Sequence, residues 1–191
     1  MIDNLAIVGC GTIGSSLSIE LAKSKLIDSF EIYDFDVVSF SDCSASYPFI
    51  EMESGLLKID VIEFYCRYLN PNLNIQSYYK KVISPLDKSK FVIDCRDNKS
   101  TNINAKIRIS FDGYMLYIDS LSKQEEVDYY RYISPKDPSY IQKAMTKIIT
   151  YLKNQHYLYK DFRLYNLETD QLYILKTEDF YEHRKKGNYQ L

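Results

Sequence analysis

The chain opens with a short apolar run at residues 5–8 that stops at Gly9, the signature of a buried parallel strand. Beyond it Ile13, Leu17, Leu21 and Ala22 recur at helical spacing, and a second apolar run at residues 30–33 ends on Asp34. These three elements make one strand–helix–strand unit. Residues 39–49 are serine-rich and have no clear period, so they read as a loop or a broken helix. From 52 to 69 the apolar positions return to helical spacing, and Asn70-Pro71-Asn72 closes that helix because proline cannot continue it. Residues 73–78 and the compact run 91–94 read as the third and fourth strands. A helix is predicted over 100–110, a turn at Asp112-Gly113 and a fifth strand over 114–118. Later come a strand over 127–133, a turn flanked by Pro135 and Pro138, and a helix over 140–152 with Ile141, Met145, Ile148, Ile149 and Leu152 on one face. A hairpin joins 163–167 to 171–175 across Glu168-Thr169-Asp170, and the polar end, 182–191, reads as frayed.

Strands alternating with helices predict an α/β fold: a Rossmann-like, doubly wound, mostly parallel sheet with a small C-terminal α+β extension. We place a nucleotide-binding domain at 1–122. A tyrosine-rich extension at 123–191 either completes the sheet or forms a partner surface. With 191 residues the chain is long enough for one domain with an appendage.

Charge and cysteine content narrow the function classes. The 24 basic and 26 acidic side chains leave a net charge of −2, so no global basic field exists to hold nucleic acid or an anionic membrane. Lys160, Arg163, Arg184, Lys185 and Lys186 are interleaved with tyrosines, but neighbouring acids argue against a nucleic-acid groove. Cys10, Cys43, Cys66 and Cys95 form no CxxC pair, which argues against zinc and against a disulfide framework; they read as packing residues rather than nucleophiles. The N-terminus lacks signal-peptide character and no apolar stretch reaches the length of about 20 residues that spans a bilayer, so a reducing cytoplasm is the expected compartment. His156 and His183 lie far apart and read as surface or core residues.

The chemistry starts at Gly9-Cys10-Gly11-Thr12-Ile13-Gly14, set between a strand and an amphipathic helix. Gly9 permits the tight turn, Gly11 lets a phosphate approach the backbone, and Gly14 lets the helix pack closely on the strand. The helix start favours a polyphosphate. Asp34, at the end of the second strand about 20 residues further on, can accept hydrogen bonds from ribose hydroxyls. These features alone do not separate ATP from NAD, nor a working site from inherited turn geometry.

Further along stand Asp34-Phe35-Asp36-Val37-Val38-Ser39-Phe40-Ser41, then Gly55 and Lys58, then Asn70-Pro71, then Asp94-Cys95-Arg96-Asp97-Asn98. Their order and spacing resemble the ThiF/MoeB/HesA family, which includes the adenylation domains of ubiquitin-activating enzymes. That family carries D-x-D-x-V-x-x-S-N-L-x-R-Q, a G-x-x-K helix, an N-P turn and D-x-x-D-N. The resemblance runs from about Leu5 to Asp119. It implies that Asp34 holds the ribose of ATP, that Asp36 lies beside the same pocket, that Lys58 neutralises phosphate and that Asp97 holds Mg²⁺. It also implies adenylation of the C-terminal carboxylate of a small, ubiquitin-like protein, and a homo- or heterodimer. Read without the resemblance, Lys58 is a solvated helix residue, Asp36 only fixes its loop, and Asp97-Asn98 caps a following helix.

The chain departs from that pattern at two arginines. Ala45 and Asn102 stand at those positions, and Arg96 and Arg67 are the candidates to compensate. No cysteine follows Asp119, so no thioester step is expected. The family's first zinc pair is replaced by Pro135-Lys136-Asp137-Pro138-Ser139-Tyr140, so no zinc is expected either. A non-catalytic scaffold of the same fold, pairing with an active homologue, therefore stands beside the adenylyltransferase. An NAD-dependent oxidoreductase is the third reading; it leaves Lys58 and the second aspartate motif unexplained.

Overall fold

Residues 2–45, 48–97, 101–120 and 138–176 are described by the structure, a computed structural model. Its strands are β1 (Leu5–Val8), β2 (Ser29–Asp34), β3 (Asn74–Tyr79), β4 (Phe91–Asp94), β5 (Ala105–Phe111), β6 (Met115–Asp119), β7 (Asp161–Asn166) and β8 (Gln171–Lys176). The helices are α1 (Thr12–Ser24), α2 (Phe40–Ala45), α3 (Lys58–Leu69) and α4 (Pro138–Lys153). The strands form one sheet in the order β3-β2-β1-β4-β5-β6-β7-β8. Pairing is parallel from β3 to β5 and antiparallel from β5 to β8. The first five positions reproduce the Rossmann order, with a switch point between β1 and β4 where the crossovers diverge. The expected Rossmann-like α/β architecture is thus present.

Alternation along β1 divides the core. Leu5 and Ile7 face a large cluster that takes Ile13, Leu17 and Leu21 from α1, Ile59, Ile62 and Cys66 from α3, and Ala144, Met145, Ile148 and Leu152 from α4. Ala6 and Val8 face the other way, into a smaller cluster with Tyr33, Val82, Val92, Ile103 and Ala105. Among the described residues, the three long helices therefore stack on one face. Part of α4 and Leu167, just past β7, share the larger cluster, so the C-terminal elements continue the same sheet and core. No helix among the described residues is long and apolar enough to cross a membrane.

The structure corrects two predicted elements. Residues 105–111 form strand β5 instead of belonging to a helix over 100–110. Ile103 and Ile107 mimic a helical repeat, but the stretch alternates: Ile107 and Ile109 turn to the main core while Lys106 is exposed, and β-branched residues fit a pleated surface. The β4–β5 connection, residues 95–104, is also shorter than the dozen or more residues a helical crossover takes. As a result the expected fifth strand is β6. The helix predicted from 52 instead starts at Lys58, because Gly55 adopts φ +89° and residues 51–53 make only a 3₁₀ turn. The predicted strand over 127–133 and the polar end lie outside the described residues. The helix over 140–152 and the hairpin are present as α4 and β7–β8.

Candidate nucleotide site

The glycine turn lies at the C-terminal edge of β1, at the switch point. Gly9 takes φ +93°, and a Cβ there would stand 2.8 Å from the Arg96 backbone nitrogen, so the end of β4 leaves room only for glycine. A Cβ at Gly14 would fall 1.8 Å from the Gly9 carbonyl oxygen, which is how closely α1 sits on β1. At Gly11 a Cβ would meet nothing within 4 Å. The space beside Gly11 is open, as a cradle for phosphate requires. Gly11 is also the N-cap of α1 and supplies no side-chain cap to the first turn, the end of a helix whose dipole favours an anion. The next serines turn inward: Ser15 Oγ donates to the Gly11 carbonyl and Ser18 Oγ to the Gly14 carbonyl, each at 2.7 Å.

Asp34 ends β2 beside this turn and is 7% exposed. One carboxylate oxygen accepts the Cys10 N–H at 2.5 Å and the other the Asp36 N–H at 2.7 Å. These bonds fix the carboxylate and leave lone pairs for an incoming hydroxyl. Asp36 is exposed, its carbonyl accepts the Lys58 N–H at 3.1 Å, and burial, then the neighbouring Asp34 charge, raise its carboxyl above the ordinary value.

Lys58 is not a solvated helix residue. It is 7% exposed, and its Nζ donates to Asp42 Oδ1 at 3.0 Å. Asp42 Oδ2 accepts both the Ser39 N–H (2.8 Å) and the Ser39 hydroxyl (2.7 Å). Burial pushes the Asp42 carboxyl up, but the Ser39 hydrogen bonds and the Lys58 ammonium outweigh it and hold the group below its ordinary value. Sequence reading missed Asp42 as a site residue. The available signal was Ser39-x-x-Asp42, a capping-box spacing, since the Asp42 N–H also reaches Ser39 Oγ at 3.3 Å.

Both candidate arginines are engaged by partners within the chain. Arg96 grips the fully buried Asp94 through Nε and Nη2, each at 2.9 Å, and donates to the Val82 carbonyl, the Thr101 carbonyl and Thr101 Oγ1 at 2.8–2.9 Å. It joins β4, the segment after β3 and the entry to β5. Arg67 is occupied by Glu63 and the Ile75 carbonyl, each at 2.8 Å, at the β3 edge. Asn102 is exposed and accepts the Asn104 N–H at 2.8 Å, while Ala45 ends α2.

Asp97 follows β4 at the same edge of the sheet and is exposed; no described helix follows it to be capped. No three His, Cys, Asp or Glu side chains cluster among the described residues. A divalent ion carried in on a polyphosphate does not need such a cluster, since one or two carboxylates with phosphate and water complete its shell, and Asp97 fits that demand. None of the four cysteines forms a disulfide; Cys10, Cys66 and Cys95 are buried, and burial drives the Cys10 thiol well up and that of Cys66 to about 12.

The fold matches solved structures of low sequence identity. PaaA shares 16% identity over 90% of this chain and 63% of its own, with a TM-score of 0.66. MccB of E. coli shares 13% over 91% and 62%, with a TM-score of 0.65, and MccB with ATP gives 14%, 91%, 63% and 0.63. The chain thus spans less than two thirds of the length of these proteins. No curated protein matches it by sequence. The ThiF family matches residues 3–111, more than half of the chain and the whole of the glycine turn, the Asp34–Lys58 segment and the β4 aspartates, and the chain belongs to the ThiF family.

Proposed function

We propose that the chain binds ATP·Mg²⁺ at the C-terminal edge of β1, β2 and β4 and adenylates the C-terminal carboxylate of a small, ubiquitin-like partner protein. The observation that carries the reading is the pairing of an open Gly11 cradle with a pre-fixed Asp34 carboxylate at the switch point. On this reading the α1 N-terminus and Lys58 take the phosphates, Asp34 takes the ribose and Asp36 lines the mouth of the pocket. A magnesium ion at Asp97 would neutralise charge on the polyphosphate. The partner's carboxylate oxygen attacks the α-phosphorus, the bond to the bridging oxygen breaks, and pyrophosphate leaves with the electron pair. E. coli MccB, a structural neighbour, has been solved with ATP and, in a separate structure, with MccA-N7isoASN.

A second reading is favoured by Ala45, Asn102 and the commitment of Arg96 and Arg67: a nucleotide-binding scaffold that pairs with an active homologue, or with itself, and turns over nothing alone. The buried, phosphate-suited Lys58 counts against a nicotinamide site.

Calorimetric titration with ATP·Mg²⁺ tests the site, and ATP–pyrophosphate exchange tests the chemistry. We expect saturable binding that weakens at least about tenfold in Asp97→Ala, the effect of losing roughly 1.4 kcal/mol of charge-assisted contact. Exchange above background supports the enzyme, and binding without exchange supports the scaffold. Absence of binding at millimolar ATP sinks the enzyme and leaves a scaffold without nucleotide, its glycine turn inherited architecture.

A further inference from the structure

Lys58 is the cation that the nucleotide reading assigns to phosphate, yet it is already neutralised from within the chain. Its ammonium and the Asp42 carboxylate lie 3.0 Å apart, with side-chain exposures of 9% and 19%. Both partners are anchored. The Lys58 N–H is bonded to the Asp36 carbonyl, and Asp42 is held by the Ser39 N–H and hydroxyl on its second oxygen. The surrounding field is acidic: Asp34, Asp36 and Asp42 act on one another's neighbourhood against Lys58 and Lys81. A polyphosphate entering here meets these carboxylates with the Lys58 ammonium already engaged.

We propose that Asp42 is an internal competitor for the phosphate position at Lys58, so that ATP binds by displacing the Asp42 carboxylate and this residue sets the nucleotide affinity. The inference rests on the ATP reading above. Carboxylate and phosphate oxygens seek the same ammonium donors. A shared geometry, with both anions on one lysine, would place two negative charges a few ångströms apart at a site screened less than open surface. The pair therefore stabilises the unliganded site at the expense of the liganded one.

The test is Asp42→Asn, which keeps the shape and an oxygen for Ser39 but removes the charge. Wild type and variant are titrated with ATP·Mg²⁺ at physiological ionic strength, and each is melted with and without nucleotide. We expect the variant to bind ATP at least about tenfold tighter, the effect of removing a close charge pair worth about 1.5 kcal/mol or more. We also expect it to melt lower than wild type when unliganded, because Lys58 has lost its partner, and to recover on saturation with ATP. Equal or weaker ATP binding by a folded variant overturns the proposal while leaving the ATP reading intact. Failure of both proteins to bind at millimolar ATP overturns the two together. If Asp42→Asn does not fold, the wild type carries the test through the ¹³C resonance of the Asp42 carboxyl. Its ionisation midpoint should move up when ATP·Mg²⁺ takes Lys58, and a midpoint unmoved by bound ATP refutes displacement.

Discussion

Arg96→Met should destabilise the protein without acting on nucleotide chemistry. Asp94 is completely buried, and Arg96, with a side chain 15% exposed, is its bidentate partner. Methionine fills similar volume but leaves the Asp94 carboxylate buried without its counter-ion. Breaking a buried pair from one side costs about 3–5 kcal/mol. The bonds to the carbonyls of Val82 and Thr101 and to Thr101 Oγ1 are lost as well, though groups near the surface can regain water. For a chain of this size each kcal/mol moves the melting temperature by about 2–4 °C, so a fall of roughly 6–20 °C is expected. Thermal melts followed by circular dichroism, with urea titration for the free energy, measure it. Arg96→Met with Asp94→Asn should recover much of the loss, because the stranded charge is gone. Below its new melting point the single variant should keep wild-type ATP affinity. An Arg96→Met protein that melts within about 2 °C of wild type yet loses ATP binding would falsify the pin and return Arg96 to the phosphates.

The glycines should separate packing from ligand contact. Gly14→Ala forces a Cβ onto the Gly9 carbonyl and should lose about 1–3 kcal/mol or more in a denaturant melt. Gly11→Ala meets empty space and should melt like wild type while ATP affinity drops in calorimetry. The pH response follows from Asp42, whose carboxyl is held below its ordinary value. A depressed folded pKa means that its contribution is present above about pH 4, the unfolded value, and is lost as pH falls through the folded one. Acid unfolding curves of wild type and Asp42→Asn should therefore converge below that range and part above it; parallel curves throughout would contradict the pairing.

What the sequence revealed, it revealed through local chemistry. The positions of Gly9, Gly11, Gly14 and Asp34 in the fold are legible in spacing alone, because a turn, a helix start and a strand end are local events. Strand β5 was hidden because its alternation is short and the expectation of a helix after every strand overrode it. The start of α3 was hidden by Gly55, whose positive φ is a backbone choice that apolar spacing does not report. Asp42 and the grip of Arg96 on Asp94 were hidden for another reason. They are contacts made by tertiary placement, and charge type alone does not say whether a lysine or arginine faces solvent, ligand or a carboxylate of its own chain.

The order of strands has a consequence for synthesis. β6 is made early but its neighbour β7 only after α4, so a growing chain carries an unpaired β6 edge while residues 120–160 emerge. Over the same interval α1 and the core-facing residues Leu116 and Ile118 wait for the apolar side of α4. Vectorial synthesis at about 5–20 residues per second makes that a window of seconds. An open strand edge beside uncovered apolar surface is a template for misassociation. Aggregation during expression should thus be governed by how fast α4 and β7 arrive, and slowing translation across that stretch should lower the soluble yield.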